Sequence, residues 1–422
     1  MSPSRALMLA IALLSLGGLG GSFQPTRLVL LVFLLPTVHL LIFRCMQLHR
    51  TDFITMAGLG IIASLGVLSL AWTPTPAAGL NRMSVVLIGM TSAIYVAATP
   101  KTIEAARQVR DAWSAALALT MPLAVYELAT DNHFTYAFDE RFVGGDFGAL
   151  PFASVFFGNF NDYCTFIALT LPMALGSLES ARHRGVRLLW GATIVLALVV
   201  LVVNLNRLAL IFAAWVGLYY LGTRQSLRRV ALVLAAIAFI GLGLGMFGEQ
   251  ADTLVAYAVL KFSSLAADDE SAGQRLALIA AGVQSLFLSA GMGLGVGSLE
   301  TFLQRQHPEL IPNPHNLMIE LAANFGLPSA LVFVVLLVYL YIRALMSRLV
   351  ADLRSPVIVS LPFVPIIGAI GSQAIGYTYW WLWLGTMALF VGVGSAADRC
   401  GRHAARTVPD PQSLPRDRLI EQ

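Results

Sequence analysis

The sequence predicts an all-α, polytopic membrane protein with about twelve transmembrane helices and a large external loop carrying amphipathic helices. Three observations predict it. Of 422 residues, 57% are hydrophobic and 12% charged, against roughly 25% charged in an ordinary soluble domain. Mean hydropathy is +0.76, and that much apolar surface cannot be hidden inside one water-soluble core. Finally, apolar runs approaching the ~20 residues that cross a bilayer as a helix recur along the chain. In hydrocarbon a helix satisfies its own backbone polar groups, so these runs read as helices.

In order, the spans are read at 6–21, 28–43, 53–71, 83–98, 113–129, 153–178, 186–203, 207–222, 230–247, 326–345, 357–373 and 377–396. Residues 1–398 form the membrane domain, with 248–325 as its large external loop. Residues 399–422, with their Arg, Pro and Asp, read as a disordered cytoplasmic tail. The first span has the outline of a signal peptide, but it lacks the small-x-small cleavage pattern and is read as a span. Pro172, Pro362 and Pro365 fall within spans and mark candidate breaks. No internal repeat is legible.

Orientation follows from Lys and Arg, which concentrate on the cytoplasmic side. With the N-terminus inside, only Arg27, Arg82, Arg141, Arg207, Lys261, Arg275 and Arg305 fall outside, and the other 20 of the 27 basic residues fall inside. The net charge of +4 therefore reflects topology, not nucleic-acid binding. Cys45 and Cys400 lie on the inner side and Cys164 within a span, so no external disulfide pair is available.

Arginines kept on the outer side need a reason. Arg207, in "VVNLNRLALIF", has only Asn204 and Asn206 as polar company. It is either a helix-start anchor or a fixed cation lining an external cavity. Arg275, in "ESAGQRLALIAAGVQSLF", opens a one-faced pattern (Leu276, Ile279, Ala280, Val283, Leu286, Phe287) expected to lie on the membrane as an amphipathic helix. A guanidinium in the first turn, where backbone N–H groups point outward, makes an anion site; a solvated polar face is the competing reading. Arg141 follows Asp139 and Glu140, and a local ion pair accounts for it. The downstream "GMGLGVGS" lacks the Lys-Ser/Thr of a phosphate loop and follows no strand, so its glycines are read as close turns.

His315 stands in "NPHNLMIELAANFG". Pro314 disfavours helix for Asn313, so His315 is expected in the first turn of the helix that follows, on the outer face. A helix N-terminus favours neutral imidazole, the form that accepts a proton. Asn316 and Glu320, four apart, share a face, so Glu320 is expected to orient Asn316 or a substrate hydroxyl. No HxxxH, HExxH or Cys pair offers a metal site, and no GxSxG supports a serine hydrolase. A structural, hydrogen-bonded His is the alternative. In "FFGNFNDYCTFIALTLPMAL", Asn159, Asn161 and Asp162 enter a span at its outer end and should face the protein interior, as contacts to a polar guest or as interhelical bonds.

The run "PHNLMIELAANFGLPSALVF" resembles the signature of the O-antigen ligase/polymerase superfamily of bacterial envelope glycosyltransferases. His315, Asn316 and Gly326 match its spacing, with Ser329 where the family has a second Gly. "GQRLALIAAGVQSLFLSAGMGLGVGSLETF" is similar to the family's Arg-bearing helix and Gly-rich turn. "NLNRLALIF" resembles its Arg-led span, with Asn-Arg-Leu in place of Ser-Arg-Gly. The likeness covers about residues 150–345. It implies a GT-C-like, metal-independent inverting transferase without cofactor or nucleotide, in the bacterial inner membrane with its site facing the periplasm. The implied donor is a glycan on undecaprenyl pyrophosphate and the acceptor is lipid A–core. His315 would be the base, with Arg207, Arg275 and Arg141 on the pyrophosphate.

Two neighbouring readings stay open. Polymerases of the superfamily carry an Arg-x10-Gly pattern in external loops, and that spacing is absent after Arg141, Arg207 and Arg275, which favours a ligase. A lipid-linked glycan flippase or transporter would also suit twelve spans. Transporters, however, place paired broken helices near the midplane, whereas here the unusual polar residues gather on one face.

Overall fold

The computed structural model of the chain describes residues 3–17, 19, 24–32, 49–130, 132–134, 152–223, 270–310, 315–371 and 374–407, and all regular structure among them is helical. In chain order the helices are α1 Pro3–Ala12, α2 Arg50–Ser69, α3 Pro76–Ala97, α4 Ile103–Thr130, α5 Phe160–Ser180, α6 Arg184–Val203 and α7 Arg207–Thr223. The remainder are α8 Glu270–Leu288, α9 Leu299–Gln306, α10 Leu317–Phe325, α11 Leu327–Met346, α12 Ala351–Ser360, α13 Val364–Ile367 and α14 Thr378–Thr407. Residues 25–32 are helical as well.

Among the described residues, six helices (α2, α3, α4, α6, α11 and α14) are long and apolar enough to cross a membrane, and Leu7–Leu16 and Arg207–Thr223 are shorter apolar helices. The chain is an all-α membrane protein. The span expected at 230–247 lies outside the described residues, as do residues 33–43 of the second. Three other spans differ from the hydropathy reading for local reasons. The first gives way to a 3-10 turn at Leu13–Leu16 and stops at Gly17, whose φ of 49° ends the helix.

The second difference is at 153–178, where helix begins only at Phe160. Residues 152–159 form a strap instead. The fully buried Glu127 carboxylate accepts the backbone N–H groups of Ser154 and Val155, each at 2.7 Å. A carboxylate that takes backbone donors competes directly with the helical ladder. The third is 357–373, where α12 ends at Ser360, a 3-10 turn spans Leu361–Phe363, and α13 is four residues long. Pro362 and Pro365 lack the N–H the ladder needs and crowd the preceding turn. Pro172, by contrast, sits inside an unbroken α5. At the C-terminal end α14 continues to Thr407, past the 398/399 boundary expected from composition.

Helix α14 is the central mast, with 89% of its apolar window buried. It lies against α3 at points where glycine removes the barrier to close approach. A Cβ on Gly385 would meet the Ala93 carbonyl oxygen at 2.4 Å, and one on Gly89 would meet Trp381 at 2.3 Å. On α11, Phe333, Leu336, Leu337 and Leu340 are buried while Leu331, Val335 and Val338 are exposed, the two-faced pattern of a helix packed on one side and bathed in lipid on the other.

The polar contacts sort into two ends. At one, Lys101 pairs with Asp52 at 2.7 Å, and Arg107 and Arg110 both grip Asp352, at 2.7 and 2.5 Å. At the other, Trp72 donates to the Gly293 carbonyl at 3.0 Å, Arg82 pairs with Glu300, and Asn204 and Ala153 exchange two bonds of 2.8 and 2.9 Å. Each contact joins segments that the Lys and Arg count assigns to the same side. The glycine run 291–297 belongs to the second end. Gly293 and Gly295 have φ of 78° and 94°, and a Cβ there would meet Gly326 N at 2.6 Å or Thr73 Cα at 2.7 Å. These glycines are close turns, as their sequence context indicates.

Candidate functional site

His315 stands just outside its helix, not in the first turn. α10 begins at Leu317, and Asn316 is its N-cap, with Oδ1 accepting from Met318 N at 3.0 Å and Ile319 N at 3.1 Å. That capping role corrects the expected Asn316–Glu320 partnership, because the oxygen of Asn316 satisfies two helix-terminal donors instead. His315 itself has φ +44°, a left-handed conformation uncommon for any residue but glycine. The helix start is tied down by the bond from Leu317 N to the Gly368 carbonyl, 3.0 Å.

The segment after α13 is what His315 rests on. The imidazole donates to the backbone carbonyl of Gly371, and Arg275 Nη1 donates to the carbonyl of Ala369 at 3.3 Å. Ring and guanidinium are thus anchored two residues apart on one stretch of main chain. Their coupling is electrostatic as well. His315 is pushed down to about 4, first by burial and then by the Arg275 charge, with the Gly371 bond acting in the other direction. Burial and the Arg275 charge both favour the neutral imidazole, and these causes differ from the helix terminus that the sequence suggests.

Arg275 is the sixth residue of α8, past the first turn, so backbone N–H groups of the helix start are not part of its surroundings. The helix is two-faced: Leu278, Ala281 and Ser285 are buried, while Leu276, Val283, Phe287 and Leu288 are exposed. Gly282 sits against Ile319 of α10, which brings α8 close to the histidine helix.

Asp162 approaches the same segment from below. It is fully buried, it is held by Asn159 Nδ2 at 2.8 Å, and it accepts the Tyr377 hydroxyl at 2.5 Å. A Cβ on Gly371 would lie 2.8 Å from its Oδ1 and 2.7 Å from Thr165 Oγ1. Asn159 caps α5 through the bond from Asp162 N, 2.9 Å. Asn161 Oδ1 accepts from Asn206 Nδ2 at 2.7 Å, and Asn206 Oδ1 in turn accepts from Ala209 N at 3.0 Å at the start of α7. Arg207, half-buried, is the first residue of that helix. The Asn161–Asn206 bond ties the start of that helix to the start of α5, next to Asp162. Arg141 lies outside the described residues, as do Asp139 and Glu140.

Three groups at this site were not singled out by sequence reasoning. Arg27 Nη2 donates to the Gly376 carbonyl at 3.4 Å. Arg82 pairs with Glu300 at 2.5 Å and stands 4.0 Å from Glu320. Tyr377 stacks on Tyr379, with ring centroids 5.0 Å apart, besides binding Asp162. Glu320 is buried and accepts from Ile375 N at 3.1 Å. The signal for the two arginines was available, since both are outer-side exceptions to the cytoplasmic bias of Lys and Arg. Weighing every such exception, and not three of them, would have found them.

Backbone strain gathers here too. Of the four non-glycine residues with positive φ among the described residues, Val155, Leu205 and His315 (52°, 47° and 44°) lie within four residues of Asn159, Arg207 or Asn316, and the fourth, Ala290, lies just after α8. Strain of this kind persists only where surrounding contacts over-determine it, and it clusters at functional sites.

Residues 192–334 match the family described as O-antigen ligase. No curated protein matches the chain. The matched stretch runs from within α6 into α11 and contains Arg207, Arg275, His315, Asn316 and Glu320. Over residues 192–334, and over no more of its length than that, the chain is similar to the O-antigen ligase family.

Proposed function

We propose that this protein is an O-antigen ligase of the bacterial inner membrane, acting on the periplasmic face. It transfers a glycan from undecaprenyl pyrophosphate to a sugar hydroxyl of lipid A–core by a metal-independent, inverting displacement. The observation that carries the reading is the anchoring of Arg275 and His315 to Ala369 and Gly371 of one segment.

In the proposed step the acceptor hydroxyl oxygen attacks the anomeric carbon from the face opposite the diphosphate. The new C–O bond forms as the bond to the diphosphate oxygen breaks, and that oxygen leaves with the electron pair. The hydroxyl proton passes to the imidazole of His315. In the tautomer that donates one N–H to the Gly371 carbonyl, the lone pair is on the other ring nitrogen, which suits a general base. Attack from the opposite face inverts the anomeric configuration.

The leaving diphosphate gains charge as the bond breaks. A fixed guanidinium in a partly dry site stabilises that charge better than mobile water does, because its reorganisation is already complete. Arg275 fills this role, with Arg207, and Arg141 as a third contact. The driving energy resides in the glycosyl–pyrophosphate bond, so no nucleotide is needed. Donor binding also tunes the base, since an anion on Arg275 offsets the charge that holds the imidazole proton affinity down.

The test is to incubate purified protein, in EDTA, with lipid-linked glycan and either core-bearing lipid A or no acceptor. Modified core is the expected product. Chain growth without core modification would make the protein a polymerase of the same superfamily, and absence of both products would overturn the transferase reading.

A further inference from the structure

Beside the Arg275–His315 pair, two more guanidiniums converge from different helices. Arg27 donates to the Gly376 carbonyl at 3.4 Å, and a Cβ on Gly376 would lie 3.0 Å from Arg82 Nη1. Arg27 is 9% exposed and the Arg82 side chain 19%. Burial lowers the proton affinity of Arg27, and the nearby Arg82 lowers it further while Tyr377 acts in the opposite sense. Like charges so placed repel and have lost much of their hydration. Carboxylates offset that cost.

The two carboxylates differ. Glu320 is buried, with Oε2 committed to Ile375 N–H, and its Oε1 stands 4.0 Å from Arg82. Glu300 is closer to Arg82, at 2.5 Å, yet its side chain is 36% exposed. It sits in the first turn of the eight-residue α9. Together with Arg82, Gly297, Glu320 and Asn324 it lines a recess open to solvent. As it stands the recess admits little more than a water-sized guest, so a larger group must move Glu300.

We propose that Arg82, backed by Arg27, is a second anion-binding position that takes a phosphate group of a substrate, and that Glu300 occupies Arg82 until that phosphate displaces it. This rests on the transferase reading of the neighbouring site. A phosphate offers more charge and more acceptor oxygens than one carboxylate, and so matches two guanidiniums better. A part-exposed carboxylate that turns to water loses little, because exposed ion pairs contribute little net energy. Glu320 is buried and holds the other side of Arg82 during the exchange. Gly376, which accepts from Arg27, lies five residues from Gly371, the anchor of His315, so a phosphate seated there is close in sequence to the segment that holds the reacting centre. The phosphate belongs either to the donor diphosphate or to a phosphorylated sugar of the acceptor.

The discriminating variants are Arg82→Lys and Glu300→Gln in the full-length purified protein. Inorganic phosphate binding is measured by calorimetry, and KM for donor and acceptor by steady-state transfer. Loss of the charged fork in Arg82→Lys should weaken phosphate binding by about tenfold, whereas Glu300→Gln removes the internal competitor and should tighten it several-fold. The same opposite signs should appear in one KM. If it is the acceptor's, treating the acceptor with phosphatase should abolish the difference; if it is the donor's, the treatment should change nothing. Weakening by both variants alike would mean that the pair only pins α9 to α3, and the proposal would fall. Unchanged phosphate binding in both would also overturn it, whatever the transfer rate. Opposite shifts in binding without any transfer by the wild type would leave the anion position standing and remove the transferase reading instead.

Discussion

Arg275 and His315 are fastened to the same short piece of main chain, Arg275 to the Ala369 carbonyl at 3.3 Å and His315 to that of Gly371. They are 40 residues apart in sequence, and neither contact is local. The shared segment fixes where a charge would be stabilised relative to where a proton would be taken.

If His315 is the base, His315→Ala should reduce the transfer rate by about 10²–10⁴-fold while abundance and membrane insertion are retained. His315→Gln keeps a donor for the Gly371 carbonyl but cannot accept the proton, and it should be equally poor. Recovery of activity in the glutamine variant would make His315 a positioning residue. Product formation per milligram of membrane-inserted protein measures both.

Arg275→Lys and Arg207→Lys retain a positive charge and lose the planar fork. Each should lower kcat by about 10²-fold, the scale of removing one donor from a charge-stabilising site. Full activity in Arg207→Lys would leave that residue as a helix-start anchor for α7.

The depressed proton affinity of His315 makes a signed prediction. With the free-protein value near 4, the imidazole is neutral at pH 7 and becomes protonated only as pH falls through about 4. Arg275→Gln removes one of the two depressing causes, so the titration midpoint should move upward. An anion bound at Arg275 should move it the same way. Ring chemical shifts of His315 followed against pH read the midpoint directly, and a downward move would contradict the assigned cause.

Gly371→Ala places a methyl group 2.7 Å from Thr165 Oγ1 and 2.8 Å from Asp162 Oδ1. The segment must shift, and it carries the acceptor for His315. Overpacking of this kind costs about 1–3 kcal/mol, and activity should fall well beyond the loss of folded protein. Gly191→Ala meets nothing within 4 Å and serves as the control, with no loss of melting temperature or rate, since Ala favours the helix interior.

At the opposite end, Arg110 is 1% exposed and holds Asp352 at 2.5 Å and Asp111 at 2.7 Å. Arg110→Met leaves the buried Asp352 carboxylate with Arg107 as its remaining partner, and removing one member of such a buried network costs on the order of 3 kcal/mol. The thermal midpoint should drop clearly. Transfer per folded molecule should not, because this network lies at the other end of the helices.

Much of the architecture was legible because it depends on quantities summed along the chain. Long apolar runs such as Leu327–Met346 and Arg184–Val203 are helices of spanning length whatever their neighbours. The Lys and Arg bias paired the right loops at each end. Capping by Asn159 and Asn316 is equally local, although the sequence reading gave both residues other roles. Hydropathy failed where a distant group intervened. The strap 152–159 is non-helical because Glu127, some 27 residues earlier, takes its N–H groups, and no window of local sequence contains that fact.

The amino-acid order by itself determined that this is a helical membrane protein, which loops share an end, and which histidine and arginines stand apart from the others. Tertiary structure alone decided that Arg275 and His315 would meet at the carbonyls of Ala369 and Gly371. Arg27 reaches Gly376 across 349 residues, Arg82 reaches Glu300 across 218, and Tyr377 reaches Asp162 across 215. Hydrophobicity and charge bias act on each segment independently, whereas a binding site is a coincidence of segments, created only when packing in the bilayer brings their ends together.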